Sequence, residues 1–195
     1  MINICTRSML TLLTLVYAFN ASAINCEEQS PTLIAEGDAY YNFEENNALT
    51  RQQKQTVDTL FAKTKKRLEG QAVEIYCVKN NDVFEEVSKT QQLKASLDIA
   101  SDGKVIMDLA VYVPEQKTGF NEIIEYLNMN STFAIKQLSA NKMRVSTKYR
   151  RVQGTNTSSL HETIADFSVN NGVITLRTTL YINGYFALAR NMQLQ

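Results

Sequence analysis

The sequence predicts an α+β fold in which an N-terminal α-helix packs on a curved antiparallel up-and-down β-meander of about seven or eight strands. Three observations predict it: one stretch of helical apolar spacing near the N-terminus, a switch to period two from Ala72 onward, and Asn-Gly or Asp-Gly corners between the later apolar runs. A second arrangement stays open, an open sheet with a second helix near 119–128. There Phe120, Ile123, Ile124 and Leu127 fit a helical face, yet they also read as the start of a strand running into Met129 and Phe133, and strand is the reading preferred.

Residues 1–23 have the pattern of a cleaved export signal. Arg7 and the amino terminus supply a small positive region, Met9 to Phe19 form an apolar run too short for a bilayer, and Ala21-Ser22-Ala23 offers the small-x-small site of a leader peptidase. Cleavage is expected after Ala23, which places the mature protein in a secreted or periplasmic location with no membrane insertion. Asn25 before Cys26 does not suit a lipid anchor.

Residues 24–195 are expected to make one domain: an irregular arm over 24–48 with an aromatic knot at Tyr40, Tyr41 and Phe43, a helix over 49–70, and sheet over 72–195. In the helix, Thr50 and Gln53 make a capping box and Val57, Leu60, Phe61, Thr64 and Leu68 share one stripe. Lys65, Lys66 and Arg67 suit its C-terminal dipole, and Gly70 closes it.

Cys5 leaves with the signal, so Cys26 and Cys77 are expected to form one disulfide, worth about 4 kcal/mol on a chain-entropy basis for a loop of roughly 50 residues. Removing Arg7 from 20 basic and 20 acidic residues leaves 19 against 20, a net charge of −1. That balance offers no global field to recruit nucleic acid or acidic membranes.

In the sheet, Val73, Ile75 and Cys77 alternate with polar positions, as do Leu93, Ala95, Leu97 and Ile99 up to the corner Asp102-Gly103. Lys104 to Val113 returns, and a turn at Ser139-Ala140-Asn141 joins Thr132–Leu138 to Lys142–Val152. The last three strands, Leu160–Val169, Val173–Ile182 and Tyr185–Leu194, are separated by Asn171-Gly172 and Asn183-Gly184. With two-residue loops Ile182 faces Tyr185, so Arg177 is expected opposite Arg190 and, through the other hairpin, opposite Ile164. Tyr181, Phe186, Leu188 and Met192 then share their face with Leu160, Glu162 and Asp166. Such a surface is either an anion-recognising spot in a shallow pocket, with Arg177, Arg190, Tyr181, Phe186, Leu188 and Ile164 as its ligand-binding residues, or an exposed face whose charges Asp166 and Glu162 partly neutralise. The opposite face carries His161, Ala165, Phe167, Ile174, Leu176, Leu180, Ala187 and Ala189 and reads as core. Lys142, Arg144, Lys148 and Arg150 line one side of a strand and read as a solvated face.

No catalytic motif emerges: there is no GxSxG, HExxH or glycine-rich phosphate loop and no metal-spaced Cys/His cluster, and His161 is the sole histidine. No cofactor or metal is expected. The sequons at Asn130 and Asn156 matter only in a eukaryotic secretory pathway. The function the sequence favours is an exported, non-enzymatic binding module holding a lipid-like or peptide ligand on the concave sheet face. Its alternative is a cell-envelope protein–protein interaction or assembly factor.

Overall fold

In a computed structural model of the chain, residues 24–31, 49–112, 120–128, 132–153 and 157–195 are described. The expected signal segment, Cys5, and the aromatic knot at Tyr40, Tyr41 and Phe43 lie outside these residues. The described elements are one helix, α1 (Arg51–Phe61), and nine strands: β1 (Arg67–Asn80), β2 (Val83–Ile99), β3 (Val105–Tyr112), β4 (Phe120–Asn128), β5 (Thr132–Leu138), β6 (Lys142–Gln153), β7 (Thr157–Asn170), β8 (Val173–Ile182) and β9 (Tyr185–Leu194). Segment 119–128 is strand from Phe120 onward, so the arrangement with a second helix there does not form.

The strand order is β4-β3-β2-β1-β9-β8-β7-β6-β5, and all eight ladders are antiparallel. Consecutive strands pair throughout, except β4 with β5, and the first strand pairs with the last. Eight reversals of direction separate β4 from β5, so the two edge strands run in the same sense. Only residues 129–131 lie between them in the chain. Nine strands laid flat would put the edges about 38 Å apart, yet the chain from Asn128 to Thr132 reaches at most about 14 Å. The sheet must therefore curl until its edges approach. β4 indeed comes within 8 Å, Cα to Cα, of β7, third from the opposite edge. The hydrogen-bonded sheet is not closed; β4 and β5 act as two halves of one long passage, the first serving β3 and the second β6. Counted as one passage, they make the meander eight strands.

The concave face receives α1. Thr50 and Gln53 form the capping box, with the Gln53 amide donating to Thr50 Oγ1 at 3.2 Å and the Thr50 amide to Gln53 Oε1 at 2.9 Å. Val57, Leu60 and Phe61 are buried with Leu68, Ala72, Leu97, Met107, Phe167, Leu176 and Met192 in one core. Phe61 meets Phe167 edge to face at 5.8 Å.

α1 is shorter than the expected 49–70. It ends at Phe61, Lys65 and Lys66 lie beyond it, and Arg67 opens β1. Leu68 satisfies helical and alternating patterns equally, and pairing β1 on both sides, with β2 and with β9, outweighs two further helical turns. Gly70 is thus no helix terminator. It sits opposite Leu93 and Leu194, and a Cβ there would fall 1.8 Å from the Gln193 carbonyl oxygen, so only glycine allows β1 and β9 to close at this point.

The corners at Asn171-Gly172 and Asn183-Gly184 are two-residue turns with both φ angles positive. The same geometry occurs at Asn81-Asp82, joining β1 to β2. Asp102-Gly103 belongs instead to a three-residue loop closed by Ala100 and Lys104, with Gly103 at φ +86°.

Replacing Gly70 by alanine should force β1 and β9 apart and cost about 2–3 kcal/mol, within the range of overpacked sites. Urea denaturation should show a lower midpoint with an unchanged slope, and an unaltered midpoint would contradict the close approach.

Candidate functional site

Along the concave face, each strand near the seam changes character at the same level. On β7, Val169, Phe167 and Ala165 give way to Thr163 and His161; on β8, Ile174 and Leu176 give way to Thr178; on β9, Leu194 and Met192 give way to Arg190; on β1, Leu68 and Ala72 give way to Glu74. The residues before the change pack under α1. Those after it form a buried polar belt. Arg190 is ion-paired through Nη2 with Glu74 Oε2, and the two side chains are 8% and 15% exposed. They face each other across the β1–β9 ladder, and Thr178 faces Arg190 from β8. The Thr178 hydroxyl is buried with no hydrogen-bond partner, as is Gln91 Oε1 on β2. His161 is buried, with Ser159 Oγ 2.9 Å from its Nε2.

The expected arginine pair does not form. β9 carries one extra residue, Ala187, so that Leu180 faces Leu188 while Tyr181 faces Phe186. This bulge shifts the register by one and turns everything beyond it to the other face. Arg190 consequently faces Thr178, whereas Arg177 faces Asn191 and is exposed. Arg177 lies opposite Asp166, and Ile164 opposite Thr179, because Asn170 and Val173 close the preceding corner. Of the six proposed binding residues, Arg190 and Leu188 lie on the concave face with Met192. Arg177, Tyr181, Phe186 and Ile164 lie on the convex one. Ala189, expected on the core face that carries His161, is buried on the convex side opposite Ile75.

The convex face holds a second buried polar group, covered by residues 24–31. Glu162 is fully buried and accepts hydrogen bonds from Ser30 Oγ at 2.5 Å and Ser146 Oγ at 3.0 Å. Lys148, expected in solvent, is buried opposite Glu162. Arg144 is exposed and binds Asp166 bidentately, Nε to Oδ1 at 2.5 Å and Nη2 to Oδ2 at 2.7 Å, which raises its pKa; Lys142 is exposed too.

The covering segment uses backbone as well. The Ser30 amide donates to the Gly184 carbonyl at 2.8 Å and the Phe186 amide to the Glu28 carbonyl at 3.0 Å, so the segment extends the sheet at the start of β9, where β1 no longer pairs. The disulfide between Cys26 and Cys77 ties it to β1 just past Tyr76, as expected, over a separation of 51 residues. Tyr181 donates its hydroxyl to Glu28 Oε1 at 3.0 Å and meets Phe186 edge to face. Burial, then this bond to a carboxylate, holds the Tyr181 phenol well above its ordinary range.

Sequence reasoning missed Glu74 and Thr178 in the concave belt; it placed Glu162 on the candidate face, but as a partial neutraliser of the arginines and not as the buried centre of the convex group. A carboxylate opposite an arginine on a pairing strand is a usable signal, but finding Glu74 requires knowing that β1 pairs with β9. Among the described residues no group of three or more His, Cys, Asp or Glu side chains could hold a metal, and no helix is long and apolar enough to cross a membrane. Comparison with known families, curated proteins and solved structures returns no match.

Because Tyr181 resists ionisation in the folded state, its contribution is intact below pH 10, where the unfolded phenol is also neutral, and fades as pH rises above 10. Thermal melts should show stability falling above pH 10 in the native chain and a shallower fall in Tyr181→Phe. At pH 7 that variant should be less stable by about 1 kcal/mol, the worth of one hydrogen bond. Parallel alkaline profiles for the two proteins would contradict the assignment.

Proposed function

We propose that the chain is an exported, non-enzymatic binding module whose concave face holds an amphiphilic ligand. The observation that carries this reading is the Thr178 hydroxyl, 1% exposed and without a hydrogen-bond partner. It stands beside the Glu74–Arg190 pair at the border between the apolar half of the concavity and its polar belt. A buried hydroxyl left unsatisfied costs about 1–3 kcal/mol, and a ligand polar group is one partner that would repay it. α1 fills the apolar half of the concavity, so the polar belt is the part left to a ligand, and it suits an uncharged or zwitterionic head because Arg190 already has a carboxylate partner in Glu74.

A second reading, an envelope protein–protein interaction factor, is favoured by the β1–β2 hairpin. β1 pairs with β9 only as far as Tyr76, and β2 pairs with β3 only from Leu93 onward, so the intervening ribbon extends past both neighbouring ladders. It carries exposed Val78, Val83 and Phe84. A photo-crosslinking residue at Phe84 that yields a discrete adduct in envelope fractions would favour it.

Native mass spectrometry of the chain beginning at Ile24, after incubation with a lipid extract, should show a discrete ligand adduct. Thr178→Val should weaken that adduct several-fold while raising stability by about 0.5–1 kcal/mol through loss of the unsatisfied hydroxyl. A bare protein mass, or an adduct indifferent to the substitution, would sink the concave-face reading.

A further inference from the structure

The backbone nitrogen of Ile24 donates to Glu86 Oε2 at 3.1 Å. Glu86 lies on the β1–β2 ribbon directly opposite Cys77, the residue bonded to Cys26. The disulfide therefore delivers the start of the covering segment to this carboxylate. Neighbouring charges are occupied elsewhere: Glu85 accepts from Asn80 Nδ2 at 2.9 Å, and Lys79 pairs with Asp82 at 3.0 Å and lies 5.9 Å from the Phe84 ring centre. Residues 24–31, Ile-Asn-Cys-Glu-Glu-Gln-Ser-Pro, contain two carboxylates and no basic side chain. Immediately before Ile24 stands Ala21-Ser22-Ala23, the pattern a leader peptidase cuts after.

We infer that the Ala23–Ile24 bond is a processing site whose product, the Ile24 α-ammonium, forms an ion pair with Glu86 and fastens the covering segment to the β1–β2 ribbon. Hydrolysis adds water across the bond: Ala23 leaves with a carboxylate, and Ile24 keeps the nitrogen, which takes up a proton. The amide that donates one hydrogen bond to Glu86 becomes a cation with three donors at the same place. It is then the sole positive charge on residues 24–31. Processing thereby strengthens the docking of a segment that also supplies Ser30 to Glu162 and Glu28 to Tyr181. A chain still carrying its leader has the amide bond only. The inference rests on reading residues 1–23 as a leader and is independent of what the concave face binds.

Two measurements test it separately. The intact mass of protein exported from cells making the full chain should correspond to a start at Ile24, and a start elsewhere overturns the processing site. For the ion pair, the chain beginning at Ile24 is released from a fusion by a protease that leaves no extra residue, and the α-amine is titrated by NMR. Its pKa should lie about 0.5–1 unit above the ordinary α-amino value of roughly 7.7–8.0. The elevation should vanish in Glu86→Gln, persist in Glu85→Gln, and vanish in a chain that retains Ala23, whose amine is displaced by one residue. An α-amine titrating identically in the native, Glu86→Gln and Ala23-extended chains overturns the pairing. Glu85 and Glu86 are exposed, and retention of the Cys26–Cys77 disulfide in each variant confirms that the segment is in place.

Discussion

The ladder between β1 and β9 is the joint on which the rest of this molecule depends. It runs from Gly70 opposite Leu194 to Tyr76 opposite Leu188, and it is the pairing that joins β1–β4 to β5–β9 in one sheet. Every other pairing links strands adjacent in sequence, which turns and short loops bring together at little entropic cost; this one closes a loop of more than a hundred residues. Through it the sheet curls, the concavity exists, and α1 has something to fill. Ala72 and Met192 bring the seam into the apolar core, Glu74 and Arg190 meet across it, and Ile75 and Ala189 bury its convex side. Where it ends, beyond Tyr76, residues 28–30 take the vacated edge of β9.

The seam also explains why a charged pair is kept where apolar side chains would fit. Removing one member of a buried pair leaves an uncompensated charge at a cost of about 3–5 kcal/mol, whereas replacing both by apolar groups is often neutral. The pair therefore contributes more to register than to stability, since slipping β1 against β9 by one residue would send Glu74 and Arg190 to opposite faces. That slip would also bring a side chain to the place where Gly70 lets the Gln193 carbonyl approach.

Local features of the chain were legible in its sequence, and features that depend on a distant partner were not. The Thr50–Gln53 capping box, the Asn-Gly corners and the alternation of the last three strands each follow from a few neighbouring residues. The disulfide followed from counting cysteines. The end of α1 was misread because Leu68 fits two periodicities and only pairing with β2 and β9 decides between them. The Asn81-Asp82 corner lacks the glycine that marks its counterparts. The arginine pair failed through Ala187, a bulge that leaves no mark in an alternating run of small and apolar residues. Glu162 looked solvated because Ser30, which bonds it, comes from a segment more than a hundred residues away, and Lys148 is buried opposite it.

Hydrogen exchange of the seam amides tests the central claim most directly. If the β1–β9 ladder holds the fold together, amides of residues 70–76 and 188–194 exchange only through global unfolding, with the same free energy and the same denaturant dependence as the core amides of β2 and β7. Seam amides that exchange through a smaller opening, while β1–β4 and β5–β9 each stay protected, would show two independently stable halves and contradict the account.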